Sequence, residues 1–224
     1  MLISNGINDI LYSINKIITL KEYNLSDRDV DWLNMKLNCF DFYYIDLLYN
    51  DIIVLHDFSN NEKAVYKVQK FCAQVIDPLP VCQNNEFIIL KPAIIVPRYI
   101  NTIKDIWIIF HELCHLLSIG KYIQSDENVN ILNHSFGLNQ YSYLLNNKVA
   151  CINKIEFSKL NELLNDAITW HLMECIYGNK IVPPDEYILK NAAKIKDRSD
   201  IKEIINLYFT GKVNILQIRL NLTL

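Results

Sequence analysis

The chain of 224 residues is 51% apolar, 21% charged and 11% aromatic, with 22 Lys and Arg against 25 Asp and Glu. That composition excludes a disordered tail, and the five Gly and six Pro exclude a collagen-like or low-complexity chain. The formal net charge of −3 offers no basic excess, so no nucleic-acid partner is expected.

Ile7, Ile10, Leu11, Ile14 and Ile17 recur at helical spacing, which predicts an amphipathic helix over 4–18. Ser26 and Asp29 read as the cap and first turn of a short helix around Trp32. The segment 42–58, rich in Tyr, Ile and Val, predicts two strands around an Asn50-Asp51 turn. Ala64, Val65, Val68, Phe71, Cys72 and Val75 fall on one stripe, predicting a helix that Pro78 and Pro80 stop. Residues 87–90 and 93–96 read as strand on either side of Pro92. Because proline removes a ladder donor, 86–98 is expected at a sheet edge, where an extended peptide could add along 93–96.

Asn101 or Thr102 then starts a helix that runs through 106–117 and stops at Gly120. The polar stretch 121–135 reads as a loop and lobe boundary, and 138–145 with 149–155 flank a hairpin turn at Asn146-Asn147. Helices are expected at about 158–177, 184–196, 200–210 and 213–221. The fold class is therefore α+β. An N-terminal lobe over 1–120 with a small mixed sheet ends in the helix before Gly120, and a mostly helical lobe follows over 121–224, both within one compact domain.

No apolar run approaches the roughly 18 residues of a membrane span, and Asp9 and Lys16 interrupt the N-terminal apolar stretch. A cytoplasmic protein without a membrane partner is the expectation. The six cysteines form no CxxC pair, so they read as reduced, buried thiols.

The chemistry is concentrated in His111-Glu112-Leu113-Cys114-His115. Positions i and i+4 share a helix face, so both imidazoles can meet one metal ion, with Glu112 beside it and able to take a proton from water. The upstream residues Ile106, Trp107, Ile108, Ile109 and Phe110 are apolar on every face. Two histidines and a glutamate in such a buried helix need a compensating partner. Two histidines do not complete a zinc site. A metzincin extension would need glycine at 118 and histidine at 121, where this chain has Ser118 and Lys121.

The remaining candidates for a third ligand are Glu127, His134, Glu156, Glu162, His171 and Glu174. Glu162 stands out because it opens an amphipathic helix in which Asp166 follows one turn later on the same face. A carboxylate there can hold a liganding imidazole. His171 and Cys175 form a second i, i+4 pair, read as structural. His134, Tyr141, Tyr143, Tyr177 and Tyr187 are possible oxyanion donors.

HExxH followed by Asn161-Glu162-x-x-x-Asp166 resembles the gluzincin metallopeptidases, the thermolysin-like group, and especially their short minigluzincin relatives. The resemblance implies Zn2+ held by His111, His115 and Glu162, Glu112 as general base, and Asp166 orienting a histidine. It implies a zinc-dependent peptidase acting on a peptide or protein substrate. The absence of any feature like a charged-terminus clamp favours an endopeptidase. A metal-stabilised binding or regulatory module, and a protease dedicated to one intracellular target, are the alternatives.

Overall fold

The computed structural model describes residues 3–19, 21–48, 52–56, 62–67, 74–76, 80–83, 86–89, 91–97, 102–121, 123–124, 131–146, 148–178 and 181–222. It is an α+β protein. Helix α1 (Ile3–Ile18) and helix α2 (Asp27–Asn38) open the chain. Ser26 caps α2 by accepting from the Asp29 amide, as the sequence predicts.

Strands β1 (Asp41–Leu48) and β2 (Ile52–His56) form the expected hairpin, whose turn lies outside the described residues. The helix expected next is not formed. Glu62–Lys67 is strand β3 and Gln74–Ile76 is strand β4, while Val68, Phe71 and Cys72 lie outside the described residues. Val65 and Tyr66 pair with Val54 and Ile53 of β2, so a neighbouring strand captured β-branched and aromatic residues whose spacing also fits a helix.

Strands β5 (Pro80–Gln83) and β6 (Glu86–Ile89) make a separate two-stranded ribbon. Strand β7 (Ala93–Pro97) does not lie at an edge. It runs parallel to β1 and antiparallel to β4, within a five-stranded sheet of order β3-β2-β1-β7-β4. Both flanks of 93–95 are therefore paired, and Val96 is paired to β1, which rules out peptide addition along 93–96. Pro92 and Pro97 bound the strand instead of interrupting its ladder, and Ala93, Ile94 and Ile95 are buried.

Helix α3 (Ile103–Leu117) follows, started by a capping box between Thr102 and Asp105. It packs against β7, β4 and α2. The helix ends at Ser118, whose hydroxyl donates to the His115 carbonyl, two residues before the expected glycine stop. Gly120 serves a close approach: a Cβ there would lie 2.0 Å from Ser135 Oγ.

Part of the stretch expected as loop is strand. Strands β8 (Ile123–Gln124), β9 (Ile131–Phe136), β10 (Asn139–Asn146) and β11 (Lys148–Ile155) form an antiparallel sheet of order β11-β10-β9-β8. Gly137, at φ +58, opens the two-residue turn between β9 and β10.

Helices α4 (Ser158–Tyr177), α5 (Glu186–Lys196), α6 (Ile201–Phe209) and α7 (Val213–Arg219) complete the chain close to their expected positions. One apolar cluster joins Ile14 of α1, Leu33 of α2, Leu113 of α3, Ile168 of α4 and Ile204 of α6. No helix among the described residues is long and apolar enough to cross a membrane. Cys114 is buried, whereas Cys39, Cys151 and Cys175 are exposed free thiols, contrary to the expectation of buried ones.

Candidate metal centre

Helices α3 and α4 pack together and supply the centre. The β9–β10 turn fixes where α4 begins. Asn139 accepts from the Phe157 amide at 2.9 Å, and Asn161 accepts from the Leu138 amide at 2.8 Å. A Cβ on Gly137 would meet Asn161 Oδ1 at 2.0 Å, so only glycine allows this approach. Glu162, the next residue, is thereby aimed at α3.

There, three atoms converge. His111 Nε2 lies 3.1 Å from His115 Nε2 and 3.2 Å from Glu162 Oε2, and His115 Nε2 lies 3.3 Å from the same oxygen. On the other side of its ring, His111 Nδ1 donates to Asp166 Oδ1 at 2.8 Å. That bond fixes the tautomer of a neutral His111, leaving the Nε2 lone pair to face the other two atoms.

Two imidazole nitrogens and a carboxylate oxygen this close repel one another unless a proton or a metal cation sits among them. Donors bound at about 2.0–2.1 Å to a tetrahedral ion stand about 3.3–3.4 Å apart, close to the observed separations. The donor set, two nitrogens and one oxygen, also suits a divalent transition metal. These residues fit a metal ion.

The electrostatics of the cluster follow from the same contacts. Burial opposes a proton on His111, but hydrogen bonds to Asp166 and Glu162 outweigh it and raise its pKa to about 10. Burial pushes the Glu162 carboxyl up, yet its bonds to His111 and His115 prevail and hold it well below the usual range. Glu112 is buried. Burial raises its pKa, the two imidazoles oppose that rise, and the Val75 main-chain N–H opposes it further, leaving it raised overall. A carboxylate with increased proton affinity beside a metal centre is suited to act as a base. Cys114, within the same motif, is buried in the core, and burial pushes its thiol up to about 12.

The other candidates are engaged elsewhere. Glu156 is bound to Lys154 and Tyr141, and Glu174 to Lys196. His171 faces the Tyr23 hydroxyl at 3.3 Å, with Cys175 Sγ 3.8 Å from the same nitrogen. His134 is buried on β9, its ring stacked on Tyr141. Tyr177 and Tyr187 are exposed. Glu127 lies outside the described residues.

Three residues beneath the site were not singled out from sequence for this role. Asn165 Nδ2 donates to the His111 carbonyl at 2.8 Å, tying α4 to α3 at the metal face. Tyr208 of α6, fully buried, donates towards Asn161 Oδ1 at 3.4 Å and Asn165 Oδ1 at 3.3 Å. A signal exists for the asparagines: Asn161-Glu162 and Asn165-Asp166 repeat an Asn-acid pair one helical turn apart. Tyr208 carries none. Comparison with family models, characterised proteins and solved structures gives no match.

Proposed function

We propose that this protein is a zinc-dependent peptidase of the gluzincin kind, in which His111, His115 and Glu162 hold the metal and Glu112 is the general base. The observation that carries the reading is the triangle of donor atoms at 3.1–3.3 Å with a buried carboxylate beside it on the same helix. A purely structural metal site needs the ligands but has no use for Glu112.

A zinc ion held there would supply the positive charge that polarises the scissile carbonyl and acidifies the attacking water. Glu112 takes the proton from that water and returns it to the leaving amine, a transfer favoured by its raised proton affinity. Asp166 keeps the His111 ring in one orientation through both steps. For substrate, the sheet edge that packs against α3 is β4, which among the described residues has no second strand neighbour. It ends the five-stranded sheet, and the Val75 N–H faces Glu112. An extended peptide pairing along β4 brings an internal bond past Glu112, which favours endopeptidase action.

The test is a peptide-library digest with wild-type protein and Glu112→Gln, paired with elemental analysis. We expect one zinc per chain in both and cleavage only by the wild type. Binding of one zinc without cleavage by either protein supports the metal-stabilised module instead. Equal cleavage by Glu112→Gln removes Glu112 from the mechanism.

A further inference from the structure

The four-stranded sheet has two unlike faces. Phe136 of β9 packs its ring 5.5 Å from that of His115, so one face belongs to the metal centre. On the other face, Asn133, Ser142 and Asn153 stand in one cross-strand row and Ser135, Gln140 and Ile155 in the next. All six line a cleft of about 550 Å³, closed on its other sides by α2, Lys121 and the segment 210–215. That volume is in the range of small-molecule sites.

The floor is built of amides and hydroxyls, groups that both donate and accept. Ser142 Oγ donates to Asn133 Oδ1 at 2.8 Å, and Gln140 Nε2 donates to Asn214 Oδ1 at 3.0 Å. These bonds orient Asn133 and Gln140 while leaving each with further donor or acceptor capacity. Apolar side chains form the rim, with Ile123 and Ile215 more than half exposed. A floor of paired donors and acceptors under an apolar rim matches a ligand carrying several hydroxyls on a carbon ring.

The charge balance selects an anion. Asp29 is the carboxylate in the lining, and it is matched by Lys212 at 3.7 Å. Among the described residues Lys121 has no such partner; its ammonium rests 5.1 Å from the Trp32 ring centre. Beneath it Lys36 is fully buried, 5.3 Å from the same ring, and donates to the carbonyls of Leu117, Ile119 and Phe209. Lys36 is not part of the lining and burial drives its pKa well down, so the cleft's unmatched positive charge is that of Lys121, which no carboxylate among the described residues accompanies.

We propose that this cleft binds a hydroxylated organic anion of mono- or disaccharide size, its charge on Lys121 and its hydroxyls on Asn133, Gln140 and Asn153. The site is separate from the metal centre and independent of what that centre does. A sugar phosphate and a sugar acid share this chemistry, so both are used as probes.

Glucose 6-phosphate, glucuronate and glucose are titrated calorimetrically into wild-type protein, Lys121→Gln, Asn153→Leu and Glu162→Ala. We expect at least one of the two anions to bind wild type with a Kd below about 1 mM and glucose to bind at least about tenfold more weakly. Lys121→Gln and Asn153→Leu, both at exposed positions, should weaken the anion by about tenfold or more, with unliganded melting temperatures confirming that each is folded. Glu162→Ala should bind as wild type does. Binding of glucose 6-phosphate alone identifies a phosphate ligand, and of glucuronate alone a carboxylate. The proposal is overturned if neither anion binds, if glucose binds equally well, if Lys121→Gln binds unchanged, or if Glu162→Ala abolishes binding and so assigns the anion to the metal centre.

Discussion

His111 uses both ring nitrogens, and its two partners have different work. Glu162 shares the Nε2 side with His115, while Asp166 accepts from Nδ1 and sits nearly buried between the helices. An imidazole freed from Asp166 can rotate or change tautomer, and either movement spoils the triangle. Outer partners of this type typically contribute about 10–100-fold in metal affinity or activity. Asp166→Ala should lose zinc affinity by about that factor in a competition titration, with Asp166→Asn losing less because it keeps an acceptor. Unchanged affinity in both variants would show that α3 alone orients the ring. His115 differs: its Nδ1 is buried without a partner among the described residues, so its orientation rests on packing against Phe136.

At the scale of elements, the metal face depends on how α3 is held at its middle and at its C-terminal end. Asn165 ties its middle to α4, and the C-terminal carbonyls of Leu117 and Ile119 are gathered by Lys36, which also takes the Phe209 carbonyl that ends α6. Three N–H donors meet three main-chain acceptors that water cannot reach. Lys36→Met keeps the aliphatic bulk but leaves those acceptors unpaired, each at roughly 1–3 kcal/mol in a buried setting. Relief of the buried ammonium's desolvation offsets part of that cost, so urea unfolding should show a net loss of about 2–4 kcal/mol, and a change under about 0.5 kcal/mol would mean that the carbonyls find other donors. None of this was visible in the sequence, because Lys36 reaches partners 81 to 173 residues away and a lone lysine in an amphipathic helix reads as surface. What the sequence did reveal is local. His111 and His115 share one turn, Glu162 and Asp166 share another, and the capping residues Ser26 and Thr102 act within three positions. The failures at 62–76 and at β7 have one cause. Strand neighbours are set by chain segments far away, and a 3.6-residue apolar period or a flanking proline says nothing about which strand arrives alongside.

For the whole molecule, proton and metal compete for one place, and that ties stability to pH. In the metal-free protein His111 has its pKa raised from 6.5 to about 10, so the folded state holds this proton more tightly than the unfolded chain does. The resulting stabilisation is complete below pH 6.5 and is lost progressively as pH rises towards 10. Glu162 acts at the acid end: its depressed pKa contributes stability above the ordinary value of 4.5, lost as pH falls through the folded value. Metal binding needs the His111 Nε2 lone pair and must displace the proton, so the apparent affinity grows as pH rises. Between pH 6.5 and pH 9, then, the chelated protein should weaken while the increment from added metal becomes larger. Melting temperatures measured with a chelator and with excess zinc at several pH values across that window test this directly. The gap between the two curves should widen steadily with pH. A gap of constant size would mean that the metal displaces no proton and that His111 is already neutral in the metal-free fold. A narrowing gap would place the metal away from His111 altogether.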